Sequence, residues 1–181
     1  MKTRSVLTAL AWSSAILLLF FFPSMVSSDY WVTVFINIII NILLAASLRT
    51  IMLVGHISLG HVGFMAMGAY CSALLVMKAG FPFAAAFFCA GLLPATIAFM
   101  IGYPFLRVKG VYFAILTLLT GQIIRLVAYS WADLTGGQLG LIGIPAVGGF
   151  ESTLDYFYLY AGIVTIGLAV LSLLERSELG R

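Results

Sequence analysis

Charge is scarce in this 181-residue sequence: nine lysines and arginines and six aspartates and glutamates together make up 8% of it. A soluble domain carries about a quarter of its residues as charges, so these few cannot cover a water-facing surface of this size. Intrinsic disorder is excluded as well, because it needs low hydrophobicity and high charge. Cysteine is rare too. Cys71 and Cys89 both lie inside apolar runs without metal-ligand spacing, which fits two reduced thiols packed as small hydrophobes. No Gly-x4-Gly-Lys-Ser/Thr phosphate loop, Cys-x2-Cys pair or His-Glu-x2-His zinc signature occurs, and His56 and His61 have no acidic residue close in sequence. Any nucleotide-driven work therefore needs a nucleotide site on another subunit. The net charge of +3 and pI near 9.0 do not indicate nucleic acid, because the basic residues are scattered without a patch or stripe.

Apolar sequence is abundant instead: 63% of residues are hydrophobic and the mean hydropathy is +1.16. A bilayer core about 30 Å thick takes about 20 apolar residues per helix. Six runs of that kind are bounded by turn or charged residues, at about 6–26, 31–54, 57–77, 83–103, 111–131 and 156–174. They are too long for the short alternating strands of a barrel. The expected fold is an all-α, polytopic helical membrane protein with about six transmembrane helices, forming a single transmembrane domain over 1–181. The first run follows Lys2 and Arg4 as a signal peptide would, but its apolar stretch exceeds the usual core of about 7–15 residues, so an uncleaved helix is expected. With Lys2 and Arg4 placed in the cytoplasm, Arg49, Arg107, Lys109, Arg176 and Arg181 fall on that side, and Asp29, Asp133, Glu151 and Asp155 on the other, with Lys78 the only basic residue there. Both termini are expected to be cytoplasmic, in the plasma (inner) membrane.

Polar residues within spans are costly and face the bundle or a cavity. Asn37 and Asn41 share a helical face in the second run, either as interhelical hydrogen-bonding groups or as the polar wall of a permeation path. Arg125 lies about two turns before Trp131, with Gln122 on the same face; it either snorkels to the outer headgroups or lines the bundle. The segment GHISLGHVGFMAMGAYCSA, 55–73, is rich in small residues. Gly60, Gly63 and Gly68 let backbones approach, and Gly68 with Ser72 makes a small-x3-small pair. Residues 55–61 read either as part of a tight helix contact or as a non-helical lead-in whose backbone, Ser58 and His61 line a cavity. The external segment 132–155, which holds Gly136, Gly137, Gly140 and Pro145, is the expected surface for an outside partner or gate.

Taken in order, four stretches resemble the M-type permease subunit of branched-chain amino acid ABC transporters, the LivM family. GHISLGHVGFMAMGAY (55–70) is similar to that family's G-Q-x-S-L-G-H-x-x-F-x-x-x-G-A-Y, which includes Gly55 and Tyr70. PFLRVKGVYFAILTLLTGQIIRLV (104–127), with Gly110 and Tyr112, resembles its P-x-L-R-x-x-G-x-Y-F-A-x-x-T-L segment. LTGGQLGLIGIP (134–145), which opens with Leu134 and Thr135, resembles its external loop, and SELGR (177–181) its S-x-x-G-R. The resemblance implies a permease that pairs with a homologous partner permease in the lipid. Two cytoplasmic ATPase subunits would bind the ATP, and an external solute-binding protein would deliver the solute. No cofactor of its own and no enzymatic activity are expected. Asn37, Asn41, Ser58, Gly60 and His61 are the expected substrate-pathway residues.

His56 stands where the family has Gln, Gln122 where Glu is common, and Arg49 and Met52 replace an Asn and a Gly. Urea and other amide permeases look similar, and a non-transporting assembly or scaffold protein is the other class that fits the packing stripes. Family members continue past the Gly-Arg into a coupling helix for the ATPase, whereas this sequence ends at Arg181. The expectation is a truncated or split permease, in which no residue can be nominated for ATPase coupling.

Overall fold

A computed structural model of the chain describes residues 28–108, 110–148, 150 and 152–176, with Arg176 as backbone only. These residues form helices and turns, with no strand among them. The long helices are α1 (Asp29–Leu53), α2 (His61–Ala79), α3 (Phe83–Phe105), α4 (Val111–Ser130) and α6 (Thr153–Arg176). Between the last two lie a single-turn helix, α5 (Ala132–Thr135), and a 3-10 turn (Gly137–Leu139). Five of the described helices are long and apolar enough to cross a membrane. The run expected at 6–26 lies outside the described residues.

The helices expose what a water-soluble protein would hide. On α3, Phe99 is 84% exposed, Phe88 74% and Met100 70%. Such surface is stable only against lipid or another apolar partner.

The turns follow from particular residues. Gly55 takes a left-handed φ of +83° and closes α1 with paired bonds: its N–H donates to Met52 O (2.9 Å) and that of His56 to Ile51 O (3.4 Å). This is a Schellman closure, in which a left-handed residue lets two orphan carbonyls be satisfied. Helix α2 then starts only at His61, four residues beyond the start expected for the third run. Left-handed Gly80, followed by Pro82 at the N-cap of α3, makes the next reversal.

Among the described residues two compact units result, those up to Ser47 with those from Gly148 onward, and those within Leu48–Val147. In the first, Val32 and Ile39 of α1 are buried with Phe157, Ala161 and Val164 of α6. Leu43 sits over Gly167, where a Cβ would lie 2.9 Å from its Cδ1. In the second, α2 is the shared element, packed on α3 and on α4 and touching α5.

Candidate functional site

The second unit is built on close backbone approach. A Cβ on Gly60 would lie 2.5 Å from the Thr117 carbonyl oxygen, and one on Gly63 would lie 2.7 Å from the Gly121 Cα. These glycines bring the start of α2 against the middle of α4. Gly68 faces the other neighbour, with a Cβ there falling 2.8 Å from the Ala90 carbonyl oxygen of α3. The i, i+3 and i, i+8 spacing of Gly60, Gly63 and Gly68 accounts for the division, since α2 must present small residues to two helices at once.

The segment 56–60 crosses this contact as a non-helical strap between the cap of α1 and the start of α2. Thr117 ties it down: the Leu59 N–H donates to Thr117 Oγ1 (3.0 Å), while that hydroxyl donates to Ala114 O (2.9 Å). Thr117, Ser58 and Gly60 are buried and His61 is half-buried. The His56 ring stacks edge-on against Phe113 at 4.6 Å. Irregular backbone of this kind survives at membrane depth only where protein or a cavity satisfies its polar groups.

Beside the strap, a cleft of about 520 Å³ opens between α2 and α4 and is bounded at one end by Gly137–Gly140. Leu59, Val62, Leu118 and Leu139 make its wall apolar, and the closely approaching Gly63 and Gly121 also line it. Tyr70, Gln122, Arg125, Tyr129 and Gln138 supply its polar groups. The end piece is folded rather than loose. Thr135 is buried and its hydroxyl lies against the carbonyl oxygens of Ala128 and Trp131, and Lys78 Nζ donates to Asp133 O (2.9 Å). Left-handed φ at Gly136 and Gly140 shapes the turn, and a Cβ at Gly136 would collide with Gly140 O.

Of the residues nominated from sequence, Gly63, Tyr70, Arg125, Gly137 and Gly140 line this cleft. Ser58, Gly60 and His61 belong to the strap and the start of α2 beside it. Asn37 and Asn41 lie in the first unit, on an exposed face of α1, each amide donating to the carbonyl one turn earlier, Thr33 O (2.9 Å) and Asn37 O (2.8 Å). Gly110 takes a φ of +65° ahead of α4, Tyr112 projects from its first turn, and Pro145 is exposed. Thr117, Gly121 and Gln138 are not singled out by the sequence, and Lys78 stands out there only as a basic residue on the external side. Thr117 and Gly121 form a small-x3-small pair on α4, which is the signal that would have found them.

A family model described as branched-chain amino acid transport system / permease component matches residues 30–181. Two curated relatives, the high-affinity branched-chain amino acid transport system permease proteins LivM of Escherichia coli (strain K12) and Salmonella typhimurium (strain LT2), are each 40% identical to the chain over 107 residues. That stretch is 59% of this chain and 25% of each relative, so the chain spans about a quarter of the length of the relatives it matches. No solved structure matches. With the family match running from residue 30 through residue 181 and five apolar helices among the described residues, the chain belongs to the branched-chain amino acid permease family and is a multi-pass inner-membrane protein.

Proposed function

We propose that the chain is a permease subunit of an ABC importer for branched-chain amino acids or a related small solute, and that it forms part of the translocation route. The family match over residues 30–181 carries this reading. A glycine-lined helix contact crossed by a non-helical strap gives it a physical form. A second, homologous permease completes the route, two cytoplasmic ATPase subunits bind the ATP, and an external solute-binding protein delivers the solute. The chain itself carries out no catalytic step. The distribution of Arg49, Arg107 and Arg176 against Asp29, Asp133 and Asp155 supports cytoplasmic termini.

Transport requires two arrangements of the bundle that bind solute differently, since a ligand shifts an equilibrium only by its differential affinity. The α2–α4 contact suits such motion. Its close approach relies on glycine backbones rather than interlocked side chains, and the strap is held to α4 by one side-chain hydrogen bond. Closure of the ATPases would rock these helices against the partner permease.

Proteoliposomes containing the chain, its partner permease, the ATPases and the binding protein test the reading. Uptake of labelled leucine, isoleucine or valine is expected to need ATP and this chain together. Equal uptake when the chain is omitted contradicts it, as does co-purification of the chain with unrelated membrane proteins alone.

A further inference from the structure

We propose that the cleft between α2 and α4 binds the anionic group of a small amphiphile, and that Arg125 takes its charge. Arg125 is the single charged residue of α4 and, among the described residues, the only charged one lining the cleft, where it is exposed rather than buried. An arginine within an apolar span is costly unless something compensates it. Among the described residues no aspartate or glutamate lines the cleft, so its wall holds a cation without an acidic counterpart. The remaining polar groups, from Tyr70, Gln122, Tyr129 and Gln138, are neutral phenols and amides that hydrogen-bond an anion without repelling it. The apolar wall formed by Leu59, Val62, Leu118 and Leu139 suits an aliphatic body. A volume of about 520 Å³ is of the size that takes small organic ligands.

The guanidinium fork matches a carboxylate or a phosphate equally well. Arg125 stands five residues before the end of α4, about 7–8 Å along the helix, so a lipid headgroup and a dissolved solute can both reach it. Either source presents the same chemistry, one compact anion on an aliphatic body. The solute source rests on the permease reading; anion binding at Arg125 does not.

The test uses the full chain in phosphatidylcholine nanodiscs, without ATP or partner subunits, so a failure of uptake and a failure of this site are read separately. The probes are 4-methylpentanoate and 3-methylbutylamine, which carry a carboxylate or an ammonium on a branched aliphatic body. Binding followed by saturation-transfer NMR is expected for the carboxylate and absent for the amine. Arg125→Gln is expected to weaken it on the order of tenfold or more, the loss of a charge-assisted hydrogen bond, and Arg125→Lys to retain much of it. A second arm purifies both proteins from membranes that contain phosphatidylglycerol and counts retained lipid by native mass spectrometry. Phosphatidylglycerol held by the wild type and lost from Arg125→Gln assigns the lipid source; loss of carboxylate binding in that variant assigns the solute. Binding of neither anion by the wild type, binding that Arg125→Gln leaves unchanged, or an amine that binds as tightly as the carboxylate overturns the proposal.

Discussion

Replacing Gly60 with alanine should destabilise the protein, while the same replacement at Gly91 should leave it as stable or slightly more so. The φ of Gly60 is −91°, which any residue adopts, so the penalty is purely one of space. An added Cβ would lie 2.5 Å from the Thr117 carbonyl oxygen and 3.2 Å from its carbon, both backbone atoms that cannot rotate away. Overpacking of this kind costs about 1–3 kcal/mol. Gly63→Ala should behave alike, against the Gly121 Cα at 2.7 Å. At Gly91 a Cβ meets nothing within 4 Å, and alanine favours a helix over glycine by up to about 1 kcal/mol. Thermal unfolding of the three variants in one detergent compares them directly. A Gly60→Ala protein that melts with the wild type would mean that α2 and α4 do not approach as described.

Thr117→Val should untie the strap. Valine keeps the shape of threonine but removes the acceptor for the Leu59 N–H and the donor to Ala114 O. A backbone donor left orphaned away from water costs about 1–3 kcal/mol. Thr117→Ser keeps both bonds and should stay close to the wild type. In the assembled importer, Thr117→Val is expected to slow ATP-dependent uptake severalfold while leaving the subunits associated, and Thr117→Ser to restore it. Valine and serine variants of equal stability would show that water, rather than Thr117, satisfies Leu59.

Most of the long helices were legible because lipid leaves an apolar run of twenty residues one solution, with every backbone group bonded within its own segment. Expected and observed bounds agree within two residues for the runs at 31–54, 83–103 and 111–131. The third run was less legible. Residues 57–60, Ile-Ser-Leu-Gly, carry no charge or proline that would set them apart from the run that follows, and what keeps them out of α2 is the left-handed turn at Gly55 together with a bond to Thr117, 58 residues away. Contacts across such distances leave no local pattern. The clip from Lys78 to the Asp133 carbonyl, across 55 residues, escaped the sequence for the same reason and gives order to a glycine-rich stretch that reads as a loose connector. Small residues fared better, since Gly60, Gly63 and Gly68 reveal close approach by their size alone. Which neighbour each glycine faces needed the fold.

Arg107 precedes and Leu139 follows α4 in sequence, a helix of 20 residues and hence about 30 Å long. Membrane-sided labelling of these two positions tests the spanning architecture most directly. With Cys71 and Cys89 replaced by alanine, Arg107→Cys and Leu139→Cys are treated in right-side-out vesicles with a membrane-impermeant maleimide. The expected result is that the cysteine at position 139 reacts from outside and the one at 107 only after the vesicles are opened. Reaction of both from the same side would contradict a permease whose fourth described helix crosses the membrane.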